Sequence, residues 1–402
     1  MRIGAIVQRY GTRVAGGAER LAREVCTRLA ARDPVTVFTT TALDYLTWRN
    51  AFAPGVETLD GVEVRRFPVA HERDAAEFRA RSAALFAGPA TLDDELAWIR
   101  SQGPDSPALY AAVARSRDDF DAWLVFTYLY SPTVFGLAEL GTRAVLVPLA
   151  HNEAPLYLRI FKNAFRLPGQ LLFQTPEERD LVERVVPRSR VAGEVVGYGV
   201  DARAGDGDWP WPRSVPEGQR YALYLGRLDP SKGVGVLVEQ FRAFRERRGP
   251  ALALVLAGEV AMELAEVEGV VRPGFVSEEE RERLLAHAEV IVQPSRFESL
   301  SIVALEAWSH GRPVLASSGS DVLVGQIERS GGGFVYADGD ELAALLDRLL
   351  AADAAFARAG GAGQHYVRAT CSWDVVIDRY RAALEHVAAR SARSGREGGR
   401  EN

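Results

Sequence analysis

Two glutamates eight residues apart, Glu298 and Glu306, are the first residues in this chain whose type and spacing suggest chemistry. An ionised carboxylate is an acceptor-only group whose two oxygens match a vicinal diol, so the pair can meet one polyhydroxylated ligand. The amides of Leu300, Ser301, Ile302 and Val303 open the helix that would carry Glu306, and such a helix start favours phosphate oxygens. Sugar hydroxyls together with phosphate indicate a nucleotide sugar. The plainer reading makes Glu298 a loop cap and Glu306 part of a solvated face. Against it, Val303, Ala304, Leu305, Ala307 and Trp308 surround Glu306 with apolar neighbours, where a carboxylate needs a polar partner. A second pair, Arg227 and Lys232, lies five residues apart in a turn, in reach of a common anion. The guanidinium can grip a phosphate bidentately while the ammonium adds a point charge; the alternative is a solvated basic loop. Gly16 and Gly17 precede a helix, where bare backbone can approach a ligand closely or simply turn. His151 follows a strand, placed to meet substrate or to be ordinary hydrogen-bonded structure.

These residues need elements to hold them. Val290–Gln293 is a β-branched apolar run, Pro313–Ala316 is another, and Ser301–Ser309 between them has helical composition. In an open parallel sheet such a strand, loop, helix and strand put the loop at the carboxyl edge, where ligands bind. If Ser301 is the N-cap, Glu306 lies about a turn and a half into the helix. Strands are expected at Ile3–Val7, Val35–Phe38, Val62–Phe67, Ala122–Phe126, Ala144–Leu149, Leu171–Gln174 and Val191–Val196, alternating with helices. Asp201–Gln219, rich in Gly and Pro, reads as a linker. A second set of elements then starts with the strand Tyr221–Leu225 and ends in a long amphipathic helix from Trp373. The class is α/β, with parallel sheets covered on both faces.

The stretch Glu298-Ser-Leu-Ser-Ile-Val-Ala-Leu-Glu306, followed by Gly311-Arg-Pro-Val314, resembles the E-x7-E signature of retaining glycosyltransferase family 4. That resemblance implies the GT-B fold: two Rossmann-like, doubly wound parallel-sheet domains facing a central cleft. It implies an acceptor-binding domain over residues 1–205, a nucleotide-sugar-binding domain over 206–372, and a terminal helix, 373–390, that packs back on the first. Gly226-Arg227 through Lys232-Gly233 is similar to the family's diphosphate motif G-R-x-x-x-x-K-G. Gly16-Gly17-Ala-Glu19 is similar to the G-G-x-E that faces the donor's diphosphate across the cleft, and His151 to the histidine that touches the donor sugar. The segment through Phe275 would surround the base, Glu306 would hold the ribose and Glu298 the transferred sugar. Ser301, Ser320 and Tyr198 depart from the family pattern, which puts the identity of the sugar beyond transfer by resemblance. What the resemblance implies is a metal-independent retaining transfer from a UDP- or GDP-linked donor to a glycan, lipid-linked or small-molecule acceptor. Its rivals are a sugar-nucleotide epimerase and a non-catalytic sensor.

Composition narrows the partners. A formal net charge of −6 without a basic domain argues against nucleic acid. Two distant cysteines, Cys26 and Cys371, indicate neither disulfides nor a zinc site, and fit a reducing, cytoplasmic setting. Met1–Val7 is too short an apolar run for a signal peptide, and no stretch approaches the ~18 apolar residues of a spanning helix. The basic amphipathic stretch 156–167 is a candidate for peripheral contact with the inner membrane face, against the plainer reading of a surface helix turned inward. Asp206-Gly-Asp208 and Asp338-Gly-Asp340 fit the D-x-D of metal-dependent transferases, but Asp340 reads better as a helix N-cap. Residues 391–402, rich in Arg, Glu, Gly and Ser, are expected to be disordered.

Overall fold

A computed structural model describes residues 1–14, 16–186, 193–201 and 204–398. Val191 and Ala192 of the expected strand, residues 202 and 203 of the expected linker, and 399–402 of the tail lie outside the described residues. The chain divides into two units: Met1–Gly197 joined by the chain from Val376 onward, and Tyr198–Val375.

The first unit holds eight strands: β1 (Ile3–Ile6), β2 (Val35–Thr40), β3 (Gly55–Leu59), β4 (Val62–Phe67), β5 (Ala122–Phe126), β6 (Ala144–Val147), β7 (Gln170–Phe173) and β8 (Gly193–Val195). Their order is β3-β4-β2-β1-β5-β6-β7-β8, parallel throughout except for the β3–β4 hairpin. β1, β2, β5, β6 and β7 are buried along their whole length, as strands covered on both faces must be. The second unit holds β9 (Tyr221–Leu225), β10 (Ala253–Ala257), β11 (Val270–Gly274), β12 (Val290–Gln293), β13 (Val314–Ser317) and β14 (Gly333–Tyr336), in the order β11-β10-β9-β12-β13-β14. All five pairings are parallel. In each sheet the order reverses once, between β1 and β5 and between β9 and β12, which leaves a crevice outside the strands' carboxyl ends.

Several expectations need correction. The Gly- and Pro-rich stretch read as a linker is packed on the second unit: a Cβ on Gly205 would lie 2.2 Å from the Ser309 carbonyl oxygen, and Ser214 donates through amide and hydroxyl to Glu280. Asp206 is ion-paired with Arg368. The helix Gly339–Leu350 is capped by Asp338, not Asp340, because the Asp338 carboxylate accepts from the amides of Asp340 and Glu341. The plainer reading of the stretch 156–167 holds, since Leu156, Ile160, Phe161 and Phe165 are buried in the core of the first unit, although the α-helix is only Arg159–Ala164. The tail expected to be disordered continues the terminal helix, which runs Trp373–Gly398. Ala392, Arg393, Arg396 and Glu397 are strong helix formers, and composition alone undercounted them.

That terminal helix is part of the first unit's core. Tyr380, Leu384 and Val387 are fully buried, Gln174 donates to the Tyr380 hydroxyl at 3.3 Å, and Arg381 pairs with buried Asp33 at 3.1 Å. Leu384→Ala should therefore cost about 2–5 kcal/mol. Hydrogen exchange should show the loss in β1 and β7 while the strands of the second unit keep their protection; equal loss in both units would contradict this packing.

Candidate functional site

In the second unit the site residues are brought together by two neighbouring strands. β9 and β12 pair directly, Ile291 against Leu223, so the loops that leave their carboxyl ends start side by side. The β9 loop begins at Gly226, with φ +145°, and its carbonyl oxygen would lie 2.0 Å from a Cβ on Gly258 in the loop after β10. It ends at Gly233, with φ +73°, where a Cβ would lie 2.6 Å from the Pro294 carbonyl oxygen. Only glycine allows this left-handed turn and this close backbone passage. The result is that Lys232 sits against the β12 loop: its Nζ donates to Glu298 Oε1 at 2.8 Å and to the Phe297 carbonyl at 3.4 Å. Arg227 is held from below by Asp229, which also accepts from the Ser231 amide at 2.9 Å and so caps the short turn Pro230–Lys232. Burial works against the Asp229 charge, but its hydrogen bonds with Ser231 and Arg227 outweigh it and hold the carboxyl below the usual range.

The helix Ile302–Ser309 starts as its sequence requires, with the Ser301 hydroxyl accepting from the Ala304 amide. One expected phosphate donor is otherwise engaged. The Ser301 amide donates to Gln326 Oε1 at 2.8 Å, and Gln326 Nε2 returns a bond to the Ser301 carbonyl at 3.3 Å. Ile302 and Val303 supply the orphan amides of the first turn. Glu306 is buried at 7% exposure and ion-paired with Arg281, which also reaches Glu278 and Glu282. The two glutamates thus do not share one partner: Glu298 faces Lys232, and Glu306 faces Arg281. Phe275, just past β11, is 76% exposed, a bare ring at the sheet's edge.

On the first unit, Gly16 is the N-cap of the helix Gly17–Ala30, at φ +146°. A Cβ there would lie 2.1 Å from Glu19 Oε2. Among the described residues nothing lies within 4 Å of a Cβ on Gly17. Glu19 itself is buried and accepts from Arg9 Nε at 2.9 Å and from Gln8 Nε2 at 2.9 Å. Gln8 Oε1 in turn accepts from the Thr127 hydroxyl at 2.9 Å, which ties the ends of β1 and β5. His151 lies four residues beyond the end of β6. Its Nδ1 is 3.5 Å from Glu153 Oε1, an oxygen that accepts from the Tyr128 hydroxyl at 2.8 Å. Beneath it, Glu178 accepts from the amides of Ala150 and Gln174, each at 2.7 Å. In the first unit Arg9 and Glu178, and in the second Asp229, Arg281 and Gln326, support the candidate residues of their own unit and were not singled out from the sequence. Only the G-G-x-E pattern offered a signal, for Glu19.

Among the described residues no three His, Cys, Asp or Glu side chains group to hold a metal ion, and no helix is long and apolar enough to cross a membrane. Paired open sheets with basic and acidic loops at the β9–β12 reversal have the architecture of GT-B glycosyltransferases. A sucrose-phosphate synthase from Thermosynechococcus elongatus superposes with a TM-score of 0.71 at 17% identity, over 97% of this chain and 99% of that one. Anabaena Alr3699/HepE, solved in complex with UDP and glucose, gives 0.67 at 15% identity, over 96% and 100%. Residues 219–352, about a third of the chain, match the family model of glycosyl transferases group 1. An MMP alpha-(1->4)-mannosyltransferase of Mycolicibacterium hassiacum is 33% identical over 172 residues, 40% of this chain and 42% of the relative. The chain spans about two fifths of the length of the curated relatives it matches.

Burial pushes the Glu178 carboxyl up to about 8 against the pull of its backbone donors at Gln174, Ala150 and Leu149. A carboxyl that titrates higher in the folded state than in the unfolded one binds more protons when folded, so stability falls as pH rises from about 4.5 to about 8. Local stability of β6 and β7, read by hydrogen exchange, should drop by up to roughly 1.4 kcal/mol per pH unit across that window. Glu178→Gln should flatten the dependence; an unchanged profile in the variant would remove Glu178 as its cause.

Proposed function

We propose that this protein transfers a sugar from a nucleoside diphosphate donor, UDP- or GDP-linked, to a carbohydrate, lipid-linked or small-molecule acceptor, retaining anomeric configuration and using no metal ion. The observation that carries this reading is the Lys232–Glu298 ion pair between the loops that leave β9 and β12, with Arg227, held by Asp229, at the start of the same β9 loop. Two cations beside a helix start suit a diphosphate, and a carboxylate held by one of them suits sugar hydroxyls. The family match over 219–352, a mannosyltransferase relative and a fold neighbour solved with UDP and glucose support the same donor class.

In this reading Arg227 and Lys232 neutralise charge that grows on the diphosphate as the sugar departs, and the Ile302 and Val303 amides add to them. Lys232 also holds Glu298 in place. The acceptor oxygen enters on the side the diphosphate leaves, and the leaving phosphate takes its proton, so no side-chain nucleophile is needed. Glu306 holds the ribose and Phe275 lies beside the base. On the first unit, Gly16, Gly17 and His151 are the candidate ligand contacts. The protein acts by positioning and by preorganised electrostatics.

Arg227→Ala and Lys232→Ala should each lower turnover by ~10²–10³ while leaving nucleoside affinity nearly intact. Acceptor-dependent release of nucleoside diphosphate is the assay, since an epimerase would release none. Transfer should also survive exhaustive chelation. Near-normal rates in both variants, or a collapse on chelation that Mg²⁺ or Mn²⁺ rescues, would defeat the reading.

A further inference from the structure

The carboxyl edge of the first sheet carries a guanidinium that its own fold leaves without a carboxylate. Arg73 lies six residues past the end of β4. Its Nε donates to the Leu46 carbonyl at 2.9 Å, Nη1 to Gln102 Oε1 at 3.2 Å and Nη2 to the Tyr45 carbonyl, all neutral acceptors. A guanidinium has more N–H donors than these acceptors use. Aromatic rings enclose it: the centroids of Tyr45, Trp48 and Phe78 are 5.3, 5.1 and 5.0 Å from its Cζ. Asp44, whose charge it feels, spends its oxygens on the Thr47 amide and hydroxyl and on the Arg49 amide. Asp74 caps the helix Ala75–Ala87, and Asp105 pairs with Arg100. Among the described residues no ion pair includes Arg73. A half-buried cation in an aromatic surround, ligated only by carbonyls, favours a counter-anion from outside.

A second observation marks the same edge. Three non-glycine residues adopt left-handed backbone there: Trp48 at φ +58°, Thr127 at +62° and Leu149 at +53°, following β2, β5 and β6. Such conformations cost on the order of 1–3 kcal/mol each, persist only where the surroundings over-determine them, and cluster at ligand sites. Trp48 is 1% exposed, its indole donates to the Gln102 carbonyl at 2.7 Å, and it packs edge-on against Tyr130 at 5.4 Å. The strain therefore builds the wall of the Arg73 cage, with Tyr45 and Tyr130 as its partly exposed aromatics.

We propose that this edge of the first unit binds a sugar carrying an anionic substituent, phosphate or carboxylate, with the anion on Arg73 and the ring against Tyr45 and Tyr130. As the acceptor site of a transfer reaction it rests on the donor reading above; as a binding site it stands by itself. The test is calorimetric titration of the full chain with the 6-phosphates and 6-carboxylates of glucose, mannose and galactose, each beside its neutral parent, with inorganic phosphate and UDP titrated separately. At least one anionic sugar should bind about tenfold or more tighter than its parent and tighter than inorganic phosphate, and the phosphate and carboxylate arms identify the substituent. Arg73→Gln should abolish the preference, Arg73→Lys should keep part of it, and UDP affinity should be the same in all three proteins. The wild-type comparison needs no variant and so survives a misfolded one. Neutral parents that bind as well as their anions, inorganic phosphate that binds as well as any sugar, no binding of any anionic probe, or a preference that survives Arg73→Gln would each overturn the proposal. Failure of UDP to bind the wild type would count against the donor site and leave this one standing.

Discussion

The pairing of β9 with β12 is the constraint on which the second unit's site depends. Because these strands are neighbours in space but not in sequence, one loop goes toward β10 and the other toward β13, and Lys232 and Glu298 meet between them. Gly233 lets the β9 loop pass within van der Waals reach of the Pro294 carbonyl, and that passage places Lys232 on Glu298. A side chain at Gly233 would therefore disturb the ion pair without touching either partner. Asp229 does for Arg227 what Glu298 does for Lys232, so both cations are oriented before any ligand arrives. Preorganised charge of this kind costs no rearrangement at the moment of reaction.

Much of this arrangement was legible in the sequence. The apolar run Tyr221–Leu225 and the β-branched run Val290–Gln293 mark their strands to the residue, and Ser301 marks the start of its helix. These signals are local: a strand buried on both faces is mostly apolar, and an N-cap needs a side-chain acceptor two or three residues before the amide it satisfies. What was not legible is who satisfies whom across the fold. Arg281 reaches Glu306 from a helix 25 residues away in the chain, and Gln326 reaches the Ser301 amide across a similar gap. Neither partner stands out from the chain's other arginines and glutamines until the packing is known. Glu178 shows the same limit: it looks like one of several charges in Pro-Glu-Glu-Arg-Asp, yet it is buried beneath the His151 loop. The terminal helix, by contrast, outran its composition. Serine and glycine near the end suggested disorder, while Ala and Arg between them carry the helix to Gly398.

The two units handle charge differently. In the second, Lys232 and Arg227 each have a carboxylate partner, and Glu306 has Arg281. In the first, Arg9 is neutralised by buried Glu19, and Gln8 and Thr127 extend that network across the sheet reversal. Arg73 has carbonyls and rings in place of a carboxylate. Strained backbone at Trp48, Thr127 and Leu149 falls on this same edge, whereas the strongly positive φ angles at the second unit's site belong to glycines. The first unit thus spends stability on side-chain placement, and the second uses glycine to bring backbones together.

The central claim is that the glutamates serve different parts of one donor, Glu306 the ribose and Glu298 the transferred sugar, each oriented by its own cation. Calorimetric titration of Glu306→Gln and Glu298→Gln with nucleoside diphosphate, beside transfer rates, tests it most directly. Glu306→Gln should weaken binding of the product by roughly 1.5–3 kcal/mol, because the ribose is present in product and donor alike. Glu298→Gln should leave product affinity nearly unchanged and reduce turnover of the intact donor. Equal loss of product affinity in both variants, or in neither, would mean that Lys232–Glu298 and Arg281–Glu306 are structural ion pairs and that the donor lies elsewhere.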